Sequence, residues 1–152
     1  NLLFEKKKTV AVAESCTGGL LANKLTNISG SSEYFERGVV AYSNQAKLDI
    51  LGVPESVLEK YGAVSSETAL AMAEGVKKIS GADFGISTTG IAGPTGGSKE
   101  KPVGLVYIGF SAEGDSYSKR FHFFKDRLSN KERAVQAALN ILRKELIELT
   151  AH

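Results

Sequence analysis

The chain has 152 residues, which is long enough for one domain that buries a core without metal ions or disulfide bonds. Its 42% hydrophobic and 24% charged residues, its net charge of +2 and its scattered Lys and Arg residues argue against membrane insertion and nucleic-acid binding. The single cysteine, Cys16, cannot form an internal disulfide, so we expect a reducing, cytoplasmic location.

We expect residues 1–152 to form a single domain. No internal linker, repeat or low-complexity segment interrupts the sequence. The chain begins with Asn1 rather than Met, which is compatible with an origin in a longer chain.

The first half of the chain alternates short apolar runs with polar segments. An unbroken apolar run predicts a strand over 10–14 that is buried on both faces, as in the centre of a layered sheet. The remaining patterns predict a helix end at 2–8, a helix at 17–26, a strand at 34–43, and a helix at 44–51 that Asn44 caps.

Gly, Pro and Ser signals divide the second half into further elements. They predict helices at 55–61 and from Ser65 or Ser66 to about Ile79, a strand at 83–89, a glycine-rich loop at 90–97, and a hairpin of strands at 103–112 and 117–124. The longer helix has an inner stripe of Ala69, Met72, Ala73, Val76 and Ile79. The last helix follows the capping box S-N-K-E at Ser129 and has a stripe of Val135, Ala138, Leu139, Leu142, Leu146 and Leu149.

This order of elements predicts an α/β fold, a three-layer α/β/α sandwich with a mixed, mostly parallel sheet ending in an antiparallel hairpin. Ligands of such sheets bind beyond the carboxyl ends of the strands. Three strand ends carry polar or glycine-bearing segments, at 15–19, 42–47 and 88–97. If these strands are parallel neighbours, the three segments meet in one cleft.

The first of these segments lies in the motif A-E-S-C-T-G-G, which joins a strand to a helix. Ser15, Cys16 and Thr17 supply side-chain oxygen or sulfur. Gly18 and Gly19 remove side-chain bulk where backbone N–H groups can hold an anion or oxyanion. Either Ser15 or Cys16 is a candidate nucleophile, and an anion site without chemistry is the alternative.

A nucleophilic serine needs a base, which in most enzymes is histidine. The two histidines of this chain are poorly placed, because His122 lies within the last hairpin, where alternation marks a strand residue, and His152 is terminal. Lys47 lies one turn into the helix after the second strand, near Tyr42. This position favours a dyad of Ser15 and Lys47.

A lysine base must be neutral to accept a proton. Its pKa must therefore be lowered by desolvation or by a nearby cation, for which Arg127 and Arg133 are candidates. Cys16 is the weaker nucleophile, because a small buried thiol beside a glycine turn needs no functional reason.

The glycine-rich loop matches neither the Walker pattern nor the dinucleotide fingerprint G-x-G-x-x-G. It offers a flexible chain of N–H donors after Thr88 and Thr89. Such donors suit a carbonyl oxygen or a phosphate.

Three motifs, A-E-S-C-T-G-G, V-A-Y-S-N-Q-A-K and T-G-I-A-G-P-T-G-G, together resemble one family. It is the C-terminal domain of the competence/damage-inducible CinA proteins, equivalent to the stand-alone nicotinamide-nucleotide amidases called PncC. The resemblance covers nearly the whole chain, from Thr9 to Leu146, and the order and spacing of the motifs are highly specific.

The resemblance implies hydrolysis of the carboxamide of nicotinamide mononucleotide to nicotinate mononucleotide and ammonia, within pyridine-nucleotide recycling. In this reaction Ser15 would be the nucleophile, Lys47 its base, and Tyr42 a hydroxyl that relays a proton or orients the pair. The implied mechanism needs neither a cofactor nor a metal.

The resemblance also implies substrate contacts. Thr89 would help to hold the amide or its oxyanion, and Arg127 or Arg133 would meet the phosphate. The other candidate substrate-binding residues are Thr17, Gly18, Gly19, Asn44, Gly90, Gly93, Gly96 and Gly97.

The expected partner is a small-molecule nucleotide substrate, without nucleic acid or membrane, and the resemblance favours a homodimer or higher homo-oligomer. The alternative function is a non-catalytic nucleotide-binding or assembly domain of a larger CinA protein. Such a module needs the anion site but not the set of Ser15, Tyr42 and Lys47. The presence of that set favours an enzyme.

Overall fold

The structure of the protein is a computed structural model that describes residues 1–150, without the side chain of Thr150. Its helices are α1 (Leu2–Lys6), α2 (Leu20–Thr26), α3 (Asn44–Leu51), α4 (Glu55–Tyr61), α5 (Ser66–Ser80) and α6 (Arg127–Thr150). Its strands are β1 (Val10–Glu14), β2 (Phe35–Val40), β3 (Phe84–Gly90), β4 (Leu105–Ala112) and β5 (Asp115–His122).

The strands form one mixed sheet in the order β2-β1-β3-β4-β5. Strand β1 pairs in parallel with β2 and β3, whereas β4 is antiparallel to both β3 and β5. The predicted mixed sheet with a terminal antiparallel hairpin is confirmed. Because β2, β1 and β3 are parallel neighbours, their carboxyl ends lie along one edge of the sheet.

Helices cover both faces of this sheet. Val10 and Val12 of β1 join a buried cluster with residues of α2 and α6, whereas Ala11 and Ala13 join a second cluster with residues of α3, α4 and α5. Every residue of β1 is buried, as expected for a central strand. The fold is therefore the predicted three-layer sandwich.

Helix α5 lies directly against β3 and β4 because two sheet positions carry no side chain. A methyl group on Gly85 would collide with the carbonyl oxygen of Ala73, and one on Gly109 would collide with that of Ala69. The Ser87 hydroxyl donates to the Ala69 carbonyl at 2.5 Å and accepts from the Gly109 amide at 3.2 Å. Close packing and two hydrogen bonds thus hold α5 on the sheet.

Two helices begin differently from the prediction, α2 in its first residue and α3 in its capping residue. Helix α2 begins at Leu20 rather than at residue 17, and its amides are satisfied by the carboxylate of Glu14. The cap of α3 is Ser43, not Asn44, because the Ser43 hydroxyl accepts from the Ala46 amide at 3.0 Å. In both cases an acceptor earlier in the chain reaches the free amides of the first turn.

The predicted capping box at Ser129 is wrong, because α6 already begins at Arg127. The carboxylate of Asp126 accepts from the Ser129 amide at 3.0 Å, and its hydrogen bonds with Ser129 lower the pKa of Asp126. For α5 the open choice is resolved in favour of Ser65, whose hydroxyl accepts from the Thr68 amide at 3.1 Å.

The predicted inner stripes extend too far at their ends. Ile79 is 41% exposed and Leu149 is 44% exposed, and each is the residue before the last one of its helix. Strand β2 ends at Val40, so Tyr42 lies in a loop rather than in the predicted strand. None of the helices in residues 1–150 combines the length and hydropathy needed to cross a membrane.

We predict that Gly109→Ala lowers the free energy of unfolding by about 1–3 kcal/mol, because the added methyl group pushes α5 away from the sheet. Urea denaturation followed by circular dichroism measures this change. The exposed residue Arg120 on the neighbouring strand β5 provides the control, since Arg120→Ala should change stability by less than about 0.5 kcal/mol. Wild-type stability in Gly109→Ala would contradict the packing argument.

Candidate active site

The site is built on a carboxylate at the end of β1. Glu14 is completely buried, and its oxygens accept hydrogen bonds from the Thr17 hydroxyl at 2.6 Å and from the Leu21 and Ala22 amides at 2.8 and 3.0 Å. Because the Thr17 proton goes to Glu14, the Thr88 hydroxyl donates to Thr17 across 2.7 Å. This network fixes the turn between β1 and α2 and joins it to β3.

That turn, residues 15–19, is named here the serine corner, and it places Ser15 beside Lys47. The Ser15 amide donates to the Thr88 carbonyl at 3.0 Å, which ties the corner to β3. The Lys47 Nζ atom lies 3.1 Å from Ser15 Oγ and donates to the Tyr42 carbonyl at 3.0 Å. Lys47 is only 1% exposed. The structure therefore brings the predicted nucleophile and base within hydrogen-bond distance.

Burial sets the protonation chemistry of this pair. It lowers the pKa of Lys47 from its ordinary value of 10.5, because a low-dielectric surrounding disfavours the ammonium form. Neither Arg127 nor Arg133 contributes, so desolvation is the cause rather than a neighbouring cation. Burial also raises the pKa of Cys16 to about 12, which keeps the thiol protonated near neutral pH. These surroundings favour Ser15 over Cys16 as nucleophile.

The serine corner leaves backbone amides free. Within residues 1–150 the amides of Cys16, Thr17 and Gly19 donate no hydrogen bond to another residue, whereas the Gly18 amide donates to the Ser15 carbonyl at 3.1 Å. Gly18 and Gly19 have φ values of +58° and +104°, which a side chain would make costly. The corner thus presents amides suited to an oxyanion or an anionic group, next to a serine.

Two predicted residues point elsewhere than expected. The Tyr42 side chain is 60% exposed, and its hydroxyl lies 3.4 Å from Arg127 Nη2, so only its carbonyl contacts Lys47. Thr89 is buried and donates its hydroxyl proton to the Ala63 carbonyl at 2.7 Å. In this arrangement Tyr42 orients Lys47 through its backbone, and Thr89 holds the segment before α5. The predicted catalytic role of Tyr42 and the predicted substrate contact of Thr89 stay predictions, as does a substrate contact by the exposed Asn44 at the start of α3.

Helix α6 holds the base of the glycine-rich loop. The Arg127 guanidinium donates to the Gly93 carbonyl at 2.7 Å. Asn130, which is buried, donates to the carbonyls of Ala92 and Lys125 at 2.9 and 2.8 Å. Sequence reasoning missed Asn130, because an asparagine that bonds to backbone 38 residues away leaves no local pattern.

The rest of the loop is more exposed. Gly90 ends β3, and Gly96 and Gly97 lie in an exposed stretch of the loop. A cavity of about 510 Å³ lies between the loop base and the start of α6. Its walls are formed by Ala92, Pro94, Val103, Lys125, Asp126, Arg127 and Leu128.

Of the cations on α6, Lys131 rather than Arg133 lies at the serine corner. A methyl group on Gly18 would stand 3.7 Å from the Lys131 Nζ atom. Arg133 is exposed and lines a separate surface depression with Leu128, Ser129, Glu132 and Gln136. The sequence contained one signal for Lys131. It lies four residues after the candidate Arg127, and residues four apart lie on the same side of a helix.

The histidines do not supply a base among the described residues. His122 is half-buried on the edge strand β5, where its Nε2 atom lies 3.1 Å from the Val103 carbonyl. This matches its prediction as a strand residue. His152 lies outside the described residues.

These features define a class of protein, a three-layer α/β domain with a serine and a buried lysine at one edge of its sheet. Residues 1–146 match the family model described as the CinA C-terminal domain, so the chain belongs to that family. The family resemblance found in the sequence is thereby confirmed.

The relatives and solved structures agree with this assignment. A putative competence-damage inducible protein of Caldicellulosiruptor bescii is 58% identical over 147 residues, which are 97% of this chain and 36% of that protein. The chain thus spans about a third of the length of the curated relatives it matches. The competence/damage inducible protein CihA of Agrobacterium tumefaciens has 44% identity and a TM-score of 0.91, over 93% of this chain and 87% of that one. The protein ComA of Klebsiella pneumoniae has 34% identity and a TM-score of 0.92, over 95% and 90% of the two chains.

We predict that Glu14→Ala lowers the free energy of unfolding by about 3 kcal/mol or more, because it leaves two amides and the Thr17 hydroxyl without their acceptor. Glu14→Gln keeps the shape and one acceptor oxygen and should lose less. Urea denaturation measures both, with the exposed Glu33→Ala as the matched control. If Glu14→Ala were as stable as the control, the carboxylate would not hold the corner.

A second prediction concerns pH. Because the pKa of Lys47 is lower in the folded protein than its ordinary 10.5, the unfolded chain binds more protons between the two values, and stability rises with pH in that window. Lys47→Met should lose this rise, which has a limiting slope of about 1.4 kcal/mol per pH unit. Urea denaturation between neutral pH and pH 10.5 measures the difference, with the exposed Lys144→Met as control. A wild type and a Lys47→Met variant with parallel pH profiles would contradict the burial argument.

Proposed function

We propose that this domain hydrolyses the carboxamide of nicotinamide mononucleotide through Ser15 as nucleophile and Lys47 as base. The observation that carries the proposal is the distance of 3.1 Å between Lys47 Nζ and Ser15 Oγ in a buried position. The geometry supports the reaction type, and the family resemblance supplies the substrate.

In the first step, neutral Lys47 accepts the Ser15 proton while Ser15 Oγ attacks the carboxamide carbon. An N–H of Lys47 stays on the Tyr42 carbonyl, which directs the lone pair of the nitrogen towards Ser15. The C–O bond that forms turns the carbonyl oxygen into an oxyanion. The free amides of Cys16 and Thr17 lie nearest to Ser15 in the chain and are the donors we assign to it.

In the second step, Lys47 passes its proton to the departing nitrogen, and the C–N bond breaks to release ammonia. Water then attacks the acyl-enzyme, with Lys47 again accepting a proton and returning it to Ser15. The products are the carboxylate of nicotinate mononucleotide and ammonia, and the enzyme is regenerated.

A non-catalytic nucleotide-binding domain is the competing function. Such a module needs free amides and a cation, but it does not need Lys47 to be buried. Among the described residues Lys47 is buried and forms no ion pair with a carboxylate. Burying a charged group in this way is unfavourable, which lowers the pKa of Lys47 and makes its neutral form more accessible. A neutral lysine beside a serine is the combination that proton transfer requires, so the site favours an enzyme.

We predict that Ser15→Ala and Lys47→Met each reduce ammonia release from nicotinamide mononucleotide by at least about 10³-fold, because each removes a group that moves in the first step. In the wild type, kcat/KM should rise with pH through a transition below 10.5, since burial lowers the pKa of Lys47 and the neutral form is the base.

Cys16→Ala tests the other candidate nucleophile. It keeps the backbone amide and removes only the thiol, so most of the activity should remain. Circular dichroism of each variant controls for folding. If folded Ser15→Ala released ammonia at the wild-type rate, the serine mechanism would be wrong. If the wild type released no ammonia, the result would favour the binding module.

A further inference from the structure

We propose that Lys131 is a specificity-determining residue of the site, whose ammonium group binds an anionic phosphomonoester of the substrate at the serine corner. This inference rests on the proposed function, to which it adds the residue that selects a phosphorylated ligand over an unphosphorylated one.

The position of Lys131 is the first argument. Its Nζ atom faces Gly18, where a single methyl group would stand 3.7 Å from it, so the missing side chain leaves room between helix and corner. Lys131 and Lys47 both oppose the rise that burial causes in the pKa of Cys16, which lies between Ser15 and Thr17. The corner is therefore flanked by two lysines that come from different helices.

The second argument is that Lys131 has no protein partner. Within residues 1–150 its side chain donates no hydrogen bond and forms no ion pair. Three polar side chains next to it on α6 are engaged, since Ser129 bonds to Asp126, Asn130 to Ala92, and Glu132 forms an ion pair with Lys24. Arg133 is also unpaired among the described residues, but it is exposed, whereas Lys131 faces the corner.

The local charges leave Lys131 available for an anion. Glu14 also lies near Cys16, but it is completely buried and its oxygens are occupied by three donors. The Gly19 amide, next to the glycine that Lys131 faces, donates no hydrogen bond among the described residues. An unpaired ammonium beside a free amide suits a phosphomonoester, which carries about −1.5 to −2 charges near neutral pH.

The two arginines predicted for this role are less suited to it. Arg127 already donates to the Gly93 carbonyl at 2.7 Å and reaches the Tyr42 hydroxyl, so it braces the loop. Arg133 lies two residues beyond Lys131, which turns it about 200° around the helix to the exposed side. Lys131 is the cation of α6 that combines an unpaired head group with a position at the corner.

The test compares two substrates that differ by one phosphate, nicotinamide mononucleotide and nicotinamide riboside, in the 152-residue chain. Lys131→Met should lower kcat/KM for the mononucleotide by about 10- to 100-fold, mainly through KM, and leave that for the riboside unchanged. Lys131→Arg should restore much of the difference, because it keeps the charge. Lys144→Met, at an exposed position further along α6, serves as the control and should change neither substrate.

A second measurement separates this inference from the proposed reaction. Calorimetry should show that ribose 5-phosphate binds the wild type and binds Lys131→Met at least about 10-fold more weakly, whether or not the chain hydrolyses an amide. If the wild type released no ammonia, the proposed reaction would be wrong, and the binding of ribose 5-phosphate would still test the phosphate site. The inference is overturned if wild type and Lys131→Met bind ribose 5-phosphate equally or not at all. It is also overturned if both substrates lose activity equally, or if Arg133→Gln shows the phosphate-selective loss and Lys131→Met does not.

Discussion

The buried carboxylate of Glu14 is the contact on which the rest of the site depends. It accepts the Leu21 and Ala22 amides from outside α2, so the helix needs no side-chain cap of its own. The residues between β1 and α2 are therefore free to form a turn instead of a first helical turn. Because that turn is not helical, the amides of Cys16 and Thr17 stay available to a ligand next to Ser15. One ionisable side chain thus sets both the helix start and the chemistry of the corner.

The second constraint is the burial of Lys47 against Ser15. Removing an ammonium group from water without a carboxylate partner is unfavourable, and the molecule meets this by favouring the neutral amine. Neutral lysine needs an acceptor for its N–H and a donor for its lone pair, and the Tyr42 carbonyl and Ser15 hydroxyl satisfy both needs. An arginine could not take this place, because its guanidinium keeps its proton at any accessible pH. In the proposed mechanism, stability and reactivity are therefore linked through the pKa of Lys47.

The strands and helices that depend on local pattern could be predicted from sequence, apart from the caps of α3 and α6, whereas contacts with distant segments could not. The apolar run before Ser15 indicated a central strand, and the lack of a placed histidine indicated Lys47. The direction of the Tyr42 side chain depends on where β2 stops, and the Thr89 hydroxyl is taken by a carbonyl 26 residues earlier. Asn130 and Lys131 needed the position of α6 relative to the loop and the corner. Helix periodicity gives the face of a helix, but not what another segment places opposite it.

The two halves of the site come from opposite faces of the sheet. Helix α3, which carries Lys47, packs with the cluster on one face, and α6, which carries Lys131, packs with the cluster on the other. The end of β1 lies between them, so Ser15 is reached from both sides. In the proposed function, the reaction depends on α3 and the serine corner, whereas ligand choice depends on α6 and the loop base that it holds. Among the described residues the Lys131 side chain bonds to neither Ser15 nor Lys47, so the proposed recognition and the proposed bond cleavage can be tested by separate substitutions.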